Sequence, residues 1–266
     1  MRNTYPSLIK ALCLLAWIAP SLAQAAVQSK VLEYQDNGVT LKGFLCWDDS
    51  IQGKRPGVLV VPEWWGLNDY ARMRAEMLAK LGYVALAVDM YGQGQETDKP
   101  EQAKAWAGKI MSDIPAWRQR GLAGLEALRG QPLVDTGRLA AIGYCFGGST
   151  VVQMAYAGAD LKGVVSFHGS LPVATQAEQG KIKARILAAH GAADAFVPFE
   201  QVRAFEEGLD KAGVVWELTA YSGAHHAFTN PKAGDYHLDN VAYDARADRR
   251  SWESMRGFLE EVFSGK

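Results

Sequence analysis

The sequence predicts an α/β fold, a mostly parallel sheet with helices on both faces. Three observations carry this. Short, wholly apolar runs such as Val58-Leu59-Val60-Val61 and Val84-Ala85-Leu86-Ala87-Val88 recur along the chain, and strands apolar at every position are strands buried on both faces. Segments of helical periodicity stand between them. Gly82, Gly130 and Gly213 follow three of those segments, where helices commonly stop.

The elements follow in order. Residues 31–35 and 39–47 read as strands turned at Asp36-Asn37-Gly38, a hairpin signal. Residues 57–62 form a short apolar strand, 68–81 a helix and 83–89 another buried strand. Residues 99–129 read as helical, interrupted near Ser112-Asp113. Strands follow at 138–144, 161–167, 184–190 and 214–221, with helices at 199–212 and 242–263. No linker composition and no internal repeat divides residues 26–266, and about 240 residues suit one α/β domain.

The first 25 residues read differently. Arg2 and Lys10 precede an apolar run, Ala11 to Leu22, and then Ala23-Gln24-Ala25. Charged, apolar and small in that order is the pattern of a secretory signal peptide, with cleavage expected after Ala25. The run falls short of the roughly 20 residues that span a bilayer, so no stable membrane insertion is expected after cleavage. The protein is expected to be secreted or periplasmic. Cleavage removes Arg2 and Lys10 and no acidic residue, leaving a net charge of about -3. Nothing basic points to nucleic acid.

In open α/β sheets the chemistry lies beyond the carboxyl ends of the strands. The strand at 138–144 runs into Gly143-Tyr144-Cys145-Phe146-Gly147-Gly148 and then a helical pattern. Gly143-x-Cys145-x-Gly147 has the form of a nucleophile elbow with sulfur in place of oxygen. Both glycines are required by crowding where strand and helix close up. The elbow leaves Cys145 at a helix N-terminus, which favours thiolate, and directs the Phe146 amide into an oxyanion hole. Asp194 follows the strand at 184–190, and His225-His226 follow that at 214–221. Nucleophile, acid, base is the chain order of α/β hydrolases. A thiol needs an imidazole to take and return its proton, and the imidazole needs a carboxylate to fix its tautomer.

With these residues in view, the chain resembles the dienelactone hydrolase family, cysteine-dependent members of the α/β-hydrolase superfamily. The likeness rests on Glu63-Trp64-Trp65-Gly66-Leu67-Asn68, Asp89-Met90-Tyr91, the elbow, His190-Gly191-Ala192-Ala193-Asp194 with Val197-Pro198, and Tyr221 through Phe228. It implies a triad of Cys145, Asp194 and His226, the histidine chosen because His226-Ala227-Phe228 matches the family pattern. It also implies that Glu63 contacts the resting thiol and helps take its proton; a carboxylate desolvated among tryptophans has raised proton affinity. The Trp64 amide is expected to be the second oxyanion donor. Trp65, Tyr91 and Phe167 are expected to line the substrate pocket. One departure stands out. Family members acting on dienelactone carry an arginine after the Asp-x-Tyr segment, and residues 91–106 contain none. Lys99 and Lys104 are the cations there, and lysine lacks the bidentate fork.

The expected activity is hydrolysis of small carboxylic esters or lactones through a thioester, by a monomer acting on a small-molecule substrate. A non-catalytic exported ligand-binding protein on the same fold is the alternative, and a complete triad argues against it. A thiol redox role lacks a Cys-x-x-Cys pair. Adjacent histidines are poorly spaced for a metal, and Gly92-Gln93-Gly94 lacks the third glycine of a dinucleotide fingerprint, so neither metal nor cofactor is expected. Cys46 reads as a strand residue, with a Cys46–Cys145 disulfide left open.

Overall fold

The computed structural model describes residue 1 and residues 27–265; apart from Met1, the expected leader lies outside the described residues. Eight strands form one sheet: β1 (Val27–Asp36), β2 (Val39–Asp48), β3 (Arg55–Val61), β4 (Val84–Ala87), β5 (Val134–Tyr144), β6 (Gly163–Phe167), β7 (Arg185–Gly191) and β8 (Trp216–Tyr221), in the order β1-β2-β4-β3-β5-β6-β7-β8. The β1–β2 hairpin and the β2–β4 pair are antiparallel, and every pairing from β4 to β8 is parallel. The hairpin turns on Asn37 and Gly38, at φ 48° and 79°, the doubly left-handed turn whose twist suits a two-residue connection.

Helices α1 (Asp69–Lys80), α2 (Pro100–Met111), α3 (Ile114–Arg129), α4 (Phe146–Tyr156), α5 (Phe199–Ala212) and α6 (Ala245–Ser264) connect and cover the strands. Alternation along each strand sends side chains to two layers. Val58 and Val60 pack with Leu78 of α1 and Leu259 of α6, whereas Leu59 and Val61 pack with Leu125 of α3, Val151 of α4 and Phe205 of α5. All eleven residues of α4 are buried, as its near-continuous apolarity demands.

Some expected boundaries move for identifiable reasons. The expected strand at 83–89 keeps four residues. Beyond it the buried Asp89 carboxylate accepts from the amides of Lys42, Tyr91, Gly92 and Gly94 at 2.6–3.0 Å, so a side chain replaces the sheet ladder as the backbone's partner. The break between α2 and α3 falls at Ser112-Asp113, where Asp113 accepts from the Ala116 amide at 3.1 Å as an N-cap. β5 starts four residues before the expected Arg138. Its register against β3 jumps from Pro56↔Asp135 to Gly57↔Leu139, so residues 136–138 bulge out and hide the strand's first half from pattern reading.

The junction of β5 and α4 carries the proposed nucleophile. A Cβ on Gly143 would sit 2.1 Å from the Gly147 carbonyl oxygen, and a Cβ on Gly147 would sit 2.1 Å from that of Val61 and 2.5 Å from that of Pro62. All three obstacles are backbone. Gly147→Ala is therefore expected to lose more than about 3 kcal/mol of stability by urea denaturation, the range of the most disruptive point changes. An unchanged midpoint would show that α4 is free to move away from β3.

Candidate active site

Cys145 occupies the N-cap position of α4 at φ 53°, ψ −115°, a conformation that non-glycine residues avoid. Its amide is held by the Phe167 carbonyl at 3.0 Å and by Nδ1 of His168 at 3.1 Å, and its carbonyl accepts from the Ser149 amide at 3.1 Å. The sulfur lies 3.1 Å from Nε2 of His226, and Nδ1 of His226 lies 2.8 Å from Oδ2 of Asp194. The other Asp194 oxygen accepts from the Phe196 amide at 2.9 Å. With both carboxylate oxygens engaged, the ring is held in one orientation.

Asp194 stands in the turn after β7 and His226 in the loop after β8. That loop is pinned by a two-residue parallel bridge, with the His226 amide donating to Asn240 and the Ala242 amide donating to His226, each at 3.1 Å. Of the adjacent histidines, His226 is the one turned to the sulfur. Burial by itself lowers the proton affinity of His226, yet the sulfur of Cys145 and the carboxylate of Asp194 together raise it well above the ordinary imidazole range. Cys46 is buried in the core, and Cys46 and Cys145 are both free; burial pushes the Cys46 thiol up to about 12, so it stays protonated and inert.

Glu63 follows β3 and is 3 % exposed. Burial pushes its carboxyl up to about 7, against the opposing pull of the Asn230 amide and the charges of His226 and Arg74. Nδ2 of Asn230 donates to Oε2 of Glu63 at 2.7 Å. Trp64 and Trp65 come next, then a turn closed on Gly66, where a Cβ would meet the Gln95 carbonyl oxygen at 2.2 Å. Phe146 is the first residue of α4, so its amide lacks an intrahelical partner.

Glu63, Trp64, Trp65, Cys145 and His226 line a common cavity of about 450 Å³, the size of a small-molecule site. Two expected lining residues lie elsewhere. Phe167 is fully buried and stacked on Tyr144 at 4.8 Å; strand alternation turns it to the α1 and α6 layer. Tyr91 sits behind the site, stacked on Phe146, and donates its hydroxyl to the Trp64 carbonyl at 2.9 Å. It props the Trp64 backbone and does not line the cavity.

The sequence reading missed Asn230, Phe196, Tyr236 and a buried polar chain. Phe196 packs edge-on against His226, and Tyr236 stacks on Trp65 at 3.9 Å. His168, fully buried, accepts from Cys145 at Nδ1, which puts its ring proton on Nε2, donating to Oγ1 of Thr229 at 2.7 Å. Thr229 Oγ1 meets the Tyr70 hydroxyl at 2.6 Å, and buried Arg74 binds Tyr70, the Thr229 carbonyl and Asp248. Burial, with the charges of His226 and Arg74, pushes His168 well below its ordinary range, which keeps it the neutral acceptor that the Cys145 amide requires. The strand-end rule would have found His168, had it been carried one residue past Phe167. Asn230 and Tyr236 carry no local signal.

A model of the dienelactone hydrolase family matches residues 41–263. The chain belongs to the dienelactone hydrolase family. Among its relatives, protein usf of Aquifex pyrophilus is 29% identical over 244 residues, covering 88% of this chain and 99% of its own. Two solved structures superpose with TM-scores of 0.87, each covering 90% of this chain and 99% of the other: P91, a dienelactone hydrolase-like promiscuous phosphotriesterase from metagenomic libraries, at 39% identity, and m3DLH, at 41%. This chain is accordingly a dienelactone hydrolase-like enzyme with the α/β-hydrolase fold, and its Cys145–His226–Asp194 contacts have the form of a hydrolytic triad.

The Glu63 carboxyl of this hydrolase gives a pH prediction. A carboxyl that titrates near 7 when folded and near 4.3 when unfolded binds its proton more tightly in the folded state. Its contribution is complete below the unfolded value and is lost as pH rises through 7. The loss is on the order of 3 kcal/mol. Glu63→Gln should flatten the melting temperature profile between pH 5 and 8, raising stability at pH 8 relative to pH 5. A profile parallel to wild type would place Glu63 in solvent.

Proposed function

We propose that this hydrolase cleaves small carboxylic esters or lactones through a thioester on Cys145. The supporting observation is the unbroken line from Cys145 through His226 to Asp194, opening on a walled cavity. The raised proton affinity of His226 beside the sulfur favours an imidazolium facing a thiolate, the reactive form of cysteine.

In this reading the Cys145 sulfur attacks the carbonyl carbon and a C–S bond forms. The amides of Phe146 and Trp64 hold the oxyanion, with the Tyr91 hydroxyl steadying the Trp64 backbone. The C–O bond breaks as Nε2 of His226 gives its proton to the leaving oxygen. A water then attacks the thioester, returns a proton to His226, and releases the carboxylic acid and the sulfur. Asp194 keeps the imidazole in register throughout. Glu63, matching the family's glutamate, lines the same cavity and titrates near 7; where the sulfur is still protonated as substrate arrives, it helps His226 take that proton.

We further propose that residues 1–25 direct the enzyme across the cytoplasmic membrane. Cell fractionation, with N-terminal sequencing that begins at Ala26, is the expected outcome; recovery of the uncleaved chain in the cytoplasm would remove this part of the reading.

Hydrolysis of p-nitrophenyl acetate by residues 26–266 tests the chemistry. Cys145→Ala is expected to lower kcat at least about a thousandfold without changing the melting temperature. His226→Ala is expected to lower it about a hundredfold or more, and His225→Ala less than about fivefold. Activity retained in Cys145→Ala would overturn the mechanism, and a larger loss in His225→Ala than in His226→Ala would reassign the base.

A further inference from the structure

Outside the triad histidine, the cavity beside Cys145 offers an anionic substrate no cationic partner. Its walls are apolar, formed by Trp64, Trp65, Phe196, Leu238 and Val241, and among the described residues no lysine or arginine lines it. The charged groups that line it besides the triad are acidic: Glu63 at the floor and Asp239, exposed at the mouth.

The cations nearby are paired or lie outside the cavity. Arg74 lies beneath the site and is paired with Asp248, and Arg72 is bound to Asp69 and Glu96 at 3.1 and 3.4 Å. Lys232 opens on an adjoining hollow that it shares with Asp69, Glu96 and Asp98. Lys99 and Lys104, the cations of the segment that departs from the family pattern, are exposed and do not line the cavity. The surrounding field is negative as well. Tyr236, stacked on Trp65, has its hydroxyl pushed up to about 12 by burial and then by Glu63, Asp235, Asp98 and Glu96.

We infer that this site excludes esters and lactones bearing a free carboxylate and selects neutral or cationic apolar ones, with Asp239 setting that preference at the mouth. The inference rests on the ester-hydrolase reading and narrows its substrate class. A carboxylate carried into the cavity loses its hydration and meets no counter-charge except the His226 imidazolium, which already faces the sulfur, and it passes the like charge of Asp239 on the way. A cationic group meets Asp239 and the faces of tryptophans instead. Because Asp239 is exposed, its share is screened by salt over a Debye length of about 8–10 Å.

Three p-nitrophenyl esters of matched length test this: the valerate (neutral), the monoglutarate (anionic) and 4-(trimethylammonio)butyrate (cationic). At low ionic strength, kcat/KM for the valerate and the cationic ester should each exceed that for the monoglutarate by about tenfold or more. In 0.5 M NaCl (roughly a 4 Å screening length) the gap should narrow. Asp239→Asn should raise the monoglutarate-to-valerate ratio about threefold. Equal rates on valerate and monoglutarate, or a ratio untouched by Asp239→Asn, would overturn the inference while leaving ester hydrolysis intact.

Inactivity of wild type on all three esters would instead count against the hydrolase reading. The preference is then read from alkylation of Cys145, by neutral iodoacetamide and anionic iodoacetate. Asp239→Asn should speed iodoacetate relative to iodoacetamide about threefold, and an unchanged ratio would overturn the inference.

Discussion

The contact on which the rest depends is the near-collision of three backbones, where the end of β5, the first turn of α4 and the end of β3 meet at Gly143, Gly147 and Val61. No side chain fits between them, so the strand must turn into the helix within one residue. That residue is Cys145, and it accepts a left-handed φ of 53° at a cost of about 1–3 kcal/mol. Such strain persists only where the surroundings over-determine it. Here both ends of Cys145 are bonded: its amide to the Phe167 carbonyl and to His168, its carbonyl to Ser149. The strained turn projects the sulfur away from the sheet and toward the loop after β8, where the imidazole stands.

The same constraint explains a buried polar chain that has no direct contact with the sulfur. A neutral His168 ring is needed to accept from the Cys145 amide, and its other nitrogen must then find an acceptor in a dry interior. Thr229 provides it, and Thr229 is held in turn by Tyr70 and Arg74. Arg74 is tied to Asp248 at the start of α6. A helix before the elbow and a helix at the end of the chain are thereby joined to the backbone of Cys145. The positive charge of Arg74 also weighs on both His168 and Glu63, keeping the first neutral and partly offsetting the burial of the second.

How much of this was legible in the sequence divides along the range of the interactions. The strands and helices were legible because strand burial and helix periodicity are properties of consecutive residues. The elbow was legible because its crowding acts within five residues, Gly143 to Gly147. Asp194 and His226 were legible by position, at strand ends and in the right order, and the structure sets them 2.8 Å apart. The pocket was harder to read. Phe167 and Tyr91 follow from a rule that places aromatics near strand ends, but the rule does not say which face a side chain takes, and Phe167 faces away from the site. Asn230 and Tyr236 reach the site only because the loop after β8 folds back over the tryptophans, a long-range event without a local pattern. The bulge at 136–138 hid half of β5 for a similar reason, since it interrupts the alternation that reveals a strand.

The missing arginine in residues 91–106 takes its meaning from the cavity. In isolation it shows that one known means of binding a carboxylate is absent. Lys99 and Lys104 stand outside the cavity, Arg72 is paired with Asp69 and Glu96, and the mouth carries Asp239. A site that had merely lost an anion-binding residue would be neutral there. This one keeps a buried glutamate on its floor and adds an exposed aspartate at its mouth, with Asp98, Asp235 and Glu96 contributing to the field at the Tyr236 ring. A nearby carboxylate substrate would also raise the proton affinity of Glu63 further, which works against the part proposed for it in helping to take the thiol proton. The negative lining and the role proposed for Glu63 thus favour the same substrates: those that bring no negative charge of their own.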